Sequence, residues 1–158
     1  MKSVALGCIA ALLSASAVQA APSAELRLTP AEIATLSQGG AGPGSSGVAG
    51  IQTSVLAGDP TKAGPYTIRL QAPANTRIAA HSHRDERTAV VVSGTWYFGY
   101  GDQADEAKVK ALPPGSFYTE PAGGHHFALT RDEPVVVYIF GQGPTDTIYV
   151  DPAAAPKP

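Results

Sequence analysis

The chain has 158 residues, with 11 lysines and arginines against 13 aspartates and glutamates, and a formal net charge of −2. This length fits one domain with its own core, and no basic patch points to nucleic acid as a partner. With 17 glycines, 14 prolines and only 15% charged residues, the composition favours short strands and turns over long surface helices.

The first residues are typical of an export signal. Lys2 supplies a positive start, residues 4–13 an apolar stretch, and Val18-Gln19-Ala20 a small-residue cleavage site. We therefore predict a signal peptide over residues 1–20, cleaved after Ala20, and a periplasmic or secreted mature protein without membrane contact. A membrane anchor is the alternative, for which the apolar stretch is short. Because the only cysteine, Cys8, lies in this segment, a metal would be held by nitrogen and oxygen.

A flexible lead-in is predicted over residues 21–50. Thr29 and Pro30 are typical of the cap and the first position of a short helix. Residues 39–50 are nearly all small, which predicts a mobile loop. The alanine- and proline-rich tail over residues 151–158 cannot bury much surface and is predicted to be disordered.

Residues 51–150 have the pattern of many short strands. β-Branched, aromatic and alternating residues are separated by turn residues throughout. Almost no helix is indicated, so we predict an all-β, antiparallel barrel or sandwich with a cavity in its mouth. The strand candidates are residues 51–56, 65–71, 77–83, 88–100 with a turn at 93–94, 108–112, 116–120, 125–130, 134–140 and 145–150.

The four histidines of the chain lie in only two places. His81 and His83 are two residues apart, so on a strand their side chains point to the same face. His126, which follows a later turn, can complete a triangle of neutral imidazoles, and such a triangle suits a catalytic divalent metal ion. On a regular strand His125 points away from His126, which favours a place beside the site; a fourth imidazole ligand is the alternative.

These stretches resemble the two sequence motifs of the cupin superfamily. The first motif has a glycine, a His-x-His pair, a glutamate and a second glycine; the second has a glycine, a Pro-x-Gly turn, a histidine and an asparagine. The resemblance covers about residues 58–150 and is closest to small exported single-domain cupins. The corresponding positions are Asn75 at the first glycine, His81, His83, Arg87 at the glutamate, Gly94, Gly115, Pro121, Gly123, His126, and Thr130 at the asparagine.

The resemblance implies a jelly-roll barrel of the double-stranded β-helix type. It also implies that His81, His83 and His126 bind one divalent metal ion, commonly iron, manganese, nickel, zinc or copper. It does not imply one reaction, because cupins include dioxygenases, isomerases, decarboxylases, lyases and binding proteins.

Arg87 stands where the motif has a glutamate, and a guanidinium cannot bind a metal. Three arrangements are open. The metal could have only three imidazoles and more open positions. A bulge in the preceding loop could turn Glu86 inward as a ligand and Arg87 outward. Arg87 could also stay inside the barrel and bind a substrate carboxylate.

Other residues near the motifs are candidates for proton transfer or substrate binding. Glu120, just before the Pro121 turn, is a candidate general base if it points inward, and Tyr118 is a candidate catalytic residue near it. Tyr97 and Arg69 are candidates for lining the cavity and binding substrate. Each of these side chains has a structural alternative, as core, sheet surface or strand end.

The sequence supports three hypotheses on function. The first is a divalent-metal-dependent oxidoreductase, dioxygenase-like, acting on a small organic molecule. The second is a non-catalytic cupin that binds or senses a metal or a small ligand, and the third is a metal-dependent lyase or isomerase. In each case the partner is a small molecule, and unpaired sheet edges favour a homodimer.

Overall fold

The computed structural model describes residues 25–40 and 42–157. The signal peptide lies outside these residues, so it and the predicted export stay predictions. Helix α1, Pro30–Ala34, begins at the predicted place: Thr29 Oγ1 accepts a bond from the main-chain N–H of Glu32, whose carboxylate accepts one from the N–H of Thr29. No helix of the described residues is long and apolar enough to cross a membrane.

Two antiparallel sheets make up the barrel. Within the described residues each sheet has five strands, in the orders β1-β2-β9-β4-β7 and β10-β3-β8-β5-β6. The strands are β1 (Gln52–Ala57), β2 (Gly64–Ala72), β3 (Arg77–Ser82), β4 (Arg87–Ser93), β5 (Trp96–Tyr100), β6 (Lys110–Leu112), β7 (Phe117–Glu120), β8 (His126–Leu129), β9 (Val135–Gly143) and β10 (Ile148–Tyr149).

The predicted fold class is confirmed: an all-β, antiparallel jelly-roll barrel with a short N-terminal helix. The turn predicted inside residues 88–100 separates β4 from β5. It contains Gly94, which has a φ of 71° in the left-handed region that favours glycine. The division of the chain into leader, lead-in, barrel and tail stays a prediction.

One apolar core lies between the sheets. On β2 the side chains of Tyr66, Ile68 and Leu70 are buried, whereas Thr67 and Arg69 between them are only half-buried. This alternation follows from the period of two along a strand. Buried residues of both sheets form a single cluster, and each large apolar side chain in such a core contributes roughly 1.5–3 kcal/mol through burial.

An irregularity in β3 brings a histidine into the barrel. The pairing register between β3 and β8 shifts between Ile78 and His81. These two residues are three positions apart, so a regular strand would place them on opposite faces. Both line the inner cavity, because the extra residue at the shift reverses the alternation.

Residues 43–47, which we call the strap, lie over this cavity. Ser45 and Ser46 are only 5% and 6% exposed, a burial that small polar residues do not predict. Barrel side chains donate hydrogen bonds to main-chain carbonyls of the strap. They run from Arg87 to Gly44, from Thr147 to Ser45 and from Tyr149 to Ser46, with lengths of 3.2, 3.0 and 2.7 Å.

The tail also has local structure. Pro152–Ala154 form a 3-10 helix, and the Asp151 side chain caps it by accepting from the N–H of Ala153. Disorder of the tail over residues 151–158 stays a prediction. Flexibility of the lead-in outside the strap stays a prediction.

Candidate metal centre

His81, His83 and His126 meet inside the barrel. His81 and His126 face each other in the β3–β8 ladder, and His83 directly follows β3. The rings are 4%, 1% and 1% exposed, and their centroids are separated by 4.4 to 5.2 Å. One ring nitrogen of each residue lies within 4.8 Å of the other two, so this group could hold a metal ion.

Main-chain carbonyls orient all three rings. Nδ1 of His81 lies 2.8 Å from the carbonyl oxygen of Ala79, and Nδ1 of His126 lies 3.0 Å from that of Gly124. Nδ1 of His83 contacts the carbonyl oxygen of Asp146. A carbonyl only accepts, so each Nδ1 carries the proton and each Nε2 keeps a lone pair; that of His83 accepts a hydrogen bond from Arg87.

The donor set fits a metal ion for a second reason. Nε2 of His126 is buried and has no hydrogen-bond partner among the described residues. A buried polar atom without a partner is costly, and an ion bound by the three rings would provide one. Imidazole nitrogen suits zinc, copper, iron and nickel.

Burial keeps the rings neutral. It lowers the pKa of His81 from 6.5 to about 4 and, with the Arg87 charge beside it, the pKa of His83 to about 2. Burial also lowers the pKa of His126. The site therefore presents neutral imidazoles at neutral pH, which is the form that binds a metal.

Arg87 points into the barrel, and Glu86 is exposed. Pairing of β4 with β7 and β9 is regular from Arg87 onward to Val90, without a bulge there. The prediction of Glu86 as a metal ligand is therefore wrong, because the strand alternation that begins at Arg87 turns Glu86 outward. Of the three arrangements, the one with Arg87 inside the barrel is observed. The hydrogen-bond partners of Arg87 in this structure are groups of the protein.

Besides the carbonyl of Gly44, those partners are a carboxylate and a histidine. Nε of Arg87 donates to Oε2 of Glu120 over 2.6 Å, and Nη2 also contacts this oxygen. Nη2 donates to Nε2 of His83 over 2.7 Å. Whether Arg87 binds substrate stays a prediction, and in this structure its hydrogen bonds go to protein groups.

Glu120 points into the barrel, as its predicted role as a general base requires. Burial alone would raise its pKa, but the Arg87 charge beside it outweighs burial and lowers the pKa to about 2. A carboxylate with so low a pKa is a weak proton acceptor, which disfavours Glu120 as a general base. Oε2 lies 3.7 Å from Nε2 of His83 and 3.8 Å from Nε2 of His126.

Tyr118 lines the cavity and packs against Phe98, with ring centroids 4.3 Å apart. Burial raises the pKa of Tyr118 well above its ordinary value, so its hydroxyl stays protonated. Its catalytic role stays a prediction.

Three other candidates lie away from the cavity. Tyr97 is half-buried on the outer face of β5, with the guanidinium carbon of Arg131 4.4 Å from its ring centroid. Arg69, on the outer face of β2, donates to Gln71 over 2.8 Å. Their predicted place in the cavity is wrong, because the apolar neighbours of each residue occupy the inner face.

His125 is exposed, and its Nδ1 lies 2.7 Å from Asp102. It is not one of the grouped ring nitrogens, so the alternative of a fourth imidazole ligand is wrong.

Sequence reasoning missed two features of the site. One is the strap, of which Gly44 and Ser46 line the cavity. The other is Asp85, which is buried and accepts hydrogen bonds from Tyr66 (2.8 Å) and Thr145 (2.6 Å). No periodic pattern marks either feature, since both lie in irregular segments.

The cavity at the centre is small. It has a volume of about 20 Å³ for the centres of water molecules, which is room for about one water. A more open pocket of about 420 Å³ lies on the other side of the strap. Gly44 and Ser46 line both spaces, so the strap separates them.

No protein-family profile matches the chain, and no curated protein matches it. Solved structures do share its fold. The polyketide cyclase RemF from Streptomyces resistomycificus is 14% identical, with a TM-score of 0.61 over 79% of this chain and 87% of that chain. An RmlC-like cupin from Shewanella frigidimarina is 14% identical, with a TM-score of 0.55 over 76% of this chain and 92% of that chain.

A structure of the DMSP lyases RdDddP and RnDddQII is 19% identical, with a TM-score of 0.50 over 60% of this chain and 48% of that chain. The chain thus spans about half the length of that protein. At these identities the likenesses show a shared fold and no more.

Proposed function

We propose that this chain, which has the cupin fold, binds one divalent metal ion through His81, His83 and His126 and uses it as an oxidoreductase of the dioxygenase type. The substrate would be a small organic molecule, met in the periplasm or outside the cell. One observation carries the proposal: in all three buried rings a main-chain carbonyl engages Nδ1, which makes Nε2 the nitrogen that an ion can use, in competition with Arg87 at His83.

The residues around the three histidines hold the centre in a fixed geometry before any substrate enters. The carbonyls hold the rings in one orientation, which reduces the entropy that ordering the ligands would cost. Trp96, Val137 and Ile139 form apolar walls of the cavity. When bound, the ion would supply Lewis acidity and, if it is redox-active, electron transfer.

A substrate needs more room than the closed cavity offers. Displacement of the strap would join the cavity to the pocket of about 420 Å³ beyond it, a size typical of small-ligand sites. We therefore propose that the strap moves when substrate enters.

Metal content tests the first part of the proposal. The mature chain would be dialysed against iron, manganese, nickel, zinc or copper, and the retained ion measured by mass spectrometry. We expect about one ion per chain, loss of the ion in His126→Ala, and retention in the matched control His125→Ala. Retention in His126→Ala, or no retention in the parent chain, would refute the site.

Turnover tests the second part. The loaded protein would be mixed with a panel of phenols, diketones and organic acids while oxygen is followed with an electrode. Oxygen uptake with product formation supports the oxidoreductase. Turnover without oxygen would instead select a lyase or isomerase, and the cyclase neighbour is one example of other chemistry reported on this fold.

A non-catalytic metal-binding or sensing protein is the second candidate. One observation favours it: the cavity has room for about one water. Tight metal retention without turnover in air or under nitrogen would select it.

A further inference from the structure

We propose that a cleft between β6 and β7 is a binding site for an aromatic acid. The cleft lies at the surface of the barrel, and none of the three buried histidines lines it. The inference is therefore independent of the proposed metal centre and adds a second site to the chain. The ligand is a small molecule in which a flat aromatic ring carries a carboxylate.

The cleft lies where the two sheets end next to each other. In the described part of the chain β6 is the last strand of one sheet and β7 the last strand of the other, and residues of both line the cleft. Tyr100 of β5 spans the gap, because its hydroxyl donates to the carbonyl oxygen of Thr119 on β7 over 2.7 Å. The space has a volume of about 420 Å³, which is within the range of small-molecule sites.

Aromatic rings form much of the lining. Phe98 and Tyr118 are only 5% and 6% exposed, and their ring centroids are 4.3 Å apart. Tyr100 and Phe117 are 53% and 60% exposed. Such rings pack well against another flat ring, in offset-stacked or edge-to-face contacts. Two exposed rings beside two buried ones therefore favour an aromatic ligand.

The charge of the lining favours an anion. Lys108 and Lys110 both line the cleft, and none of the described residues that line it is acidic. Lys110 is directly paired with Phe98 in the β5–β6 ladder, so the two side chains leave the sheet on the same face. Lys108 lies 3.6 Å from Asp105 in an exposed pair, which is a weak interaction in water. Two ammonium groups beside aromatic rings complement a carboxylate that is attached to a ring.

A second copy of the chain is the competing occupant, because β7 presents a strand edge. The two lysines disfavour it. A contact about a twofold axis places the same surface of both copies together, so Lys108 and Lys110 of one copy would face those of the other. Like charges brought together in this way oppose association, whereas a carboxylate relieves their repulsion.

Binding of naphthoate by the chain without metal tests the inference, with naphthamide as the uncharged match. Affinity would be measured by isothermal titration calorimetry, and the site would be located by the shifts of main-chain amide signals in NMR spectra. We expect naphthoate to bind about fivefold or more tightly than naphthamide, since two exposed ion pairs are gained. We also expect the amide signals of Gly99 and Thr119 to shift.

Paired variants separate the two parts of the site. The double change Lys108→Gln and Lys110→Gln removes both charges, and Lys62→Gln is the control at an exposed lysine elsewhere. This double variant should bind naphthoate about fivefold more weakly and lose the preference over naphthamide. Phe117→Ala should weaken the binding of both molecules about threefold. Phe140→Ala, at an exposed ring on β9, should bind like the parent chain.

No binding of naphthoate would overturn the inference, and so would equal affinities for the two molecules or an unchanged affinity in the double lysine variant. Shifts confined to amides outside the cleft would overturn it as well. Cleft signals that move with protein concentration before any ligand is added would assign the cleft to a second copy instead. The shifts in the parent chain need no variant, and the absence of metal keeps the outcome separate from that of the three-histidine site.

Discussion

Arg87 donates a hydrogen bond from Nη2 to Nε2 of His83 over 2.7 Å. The bond occupies the lone pair that a metal ion would use, so guanidinium and ion compete for one nitrogen. The same guanidinium neutralises Glu120. Arg87 therefore stabilises the metal-free barrel and opposes the binding of a cation.

Replacement of Arg87 should separate these two effects. Arg87→Met keeps the apolar stem but leaves the Glu120 carboxylate buried without its partner, which costs about 3–5 kcal/mol of unfolding free energy in such pairs. We expect a lower melting temperature without metal and a larger rise of that temperature on adding zinc than in the parent chain. Differential scanning calorimetry measures both.

The matched control is Arg84→Met. Arg84 pairs with Asp146 at the surface, where its side chain is 59% exposed, so its loss should cost less than about 1 kcal/mol. A zinc-induced rise in Arg87→Met that is equal to or smaller than that of the parent chain would contradict the competition.

The metal-free protein should become less stable as the pH is lowered through the mildly acidic range. The pKa of His81 falls from 6.5 to about 4 and that of His83 to about 2 on folding, so below about pH 6.5 the unfolded chain binds more protons than the folded one. Stability is then lost as the pH drops from 6.5 toward the folded values, by up to about 1.4 kcal/mol per pH unit for each histidine.

Urea unfolding of the metal-free chain at several pH values between about 7 and 5 measures this slope. His81→Gln should reduce it, because it removes one buried titrating ring. Stability that is constant or rises toward pH 5 would show that the rings are charged in the folded state.

Gly99 and Phe127 are directly paired in the β5–β8 ladder, and a Cβ on Gly99 would overlap the Phe127 ring. Gly99→Ala should therefore destabilise the barrel by about 1–3 kcal/mol, as overpacking does. Because Phe127 adjoins His126, we also expect weaker zinc binding. Gly40→Ala is the control, since no heavy atom lies within 4 Å of the added carbon, and a loss of the same size there would show that overlap with the Phe127 ring is not the cause.

Gly44 allows the strap to sit on the barrel. Its φ is 83°, and a Cβ there would lie 2.9 Å from Cδ1 of Ile68. Gly44→Ala should raise the strap at a cost of about 1–2 kcal/mol and speed the release of bound cobalt to a chelator, which stopped-flow absorbance follows. Gly42→Ala, with open space around the added carbon, should release cobalt at the rate of the parent chain. Equal rates in all three proteins would show that the strap does not control access.

Because side chains alternate between the two faces of a strand, most of the fold and the grouping of the three histidines could be predicted from the sequence. His81 and His83 are two positions apart, and that spacing alone places them on one side of a sheet. The same rule also contained the correct answer for Arg69 and Tyr97. Their neighbours Ile68 and Phe98 are apolar, and the apolar side of a strand faces the core.

The loop between β3 and β4 could not be predicted in this way. Whether Glu86 or Arg87 enters the barrel depends on the residue at which pairing resumes, and that is set by contacts with Glu120 and Gly141 on other strands. The strap escaped prediction for a different reason. Its bonds to the barrel use main-chain carbonyls, which every residue has, so its side chains leave no signal.

The pairing of Arg87 with Glu120 also affects the order in which folding and metal binding can occur. A lone glutamate among three uncharged rings would leave a buried anion without a counterion in a newly folded chain. In this barrel the counterion of Glu120 is built into the neighbouring strand, so this carboxylate is paired without help from outside. The chain can therefore complete its fold first and acquire an ion later, in whatever compartment supplies one.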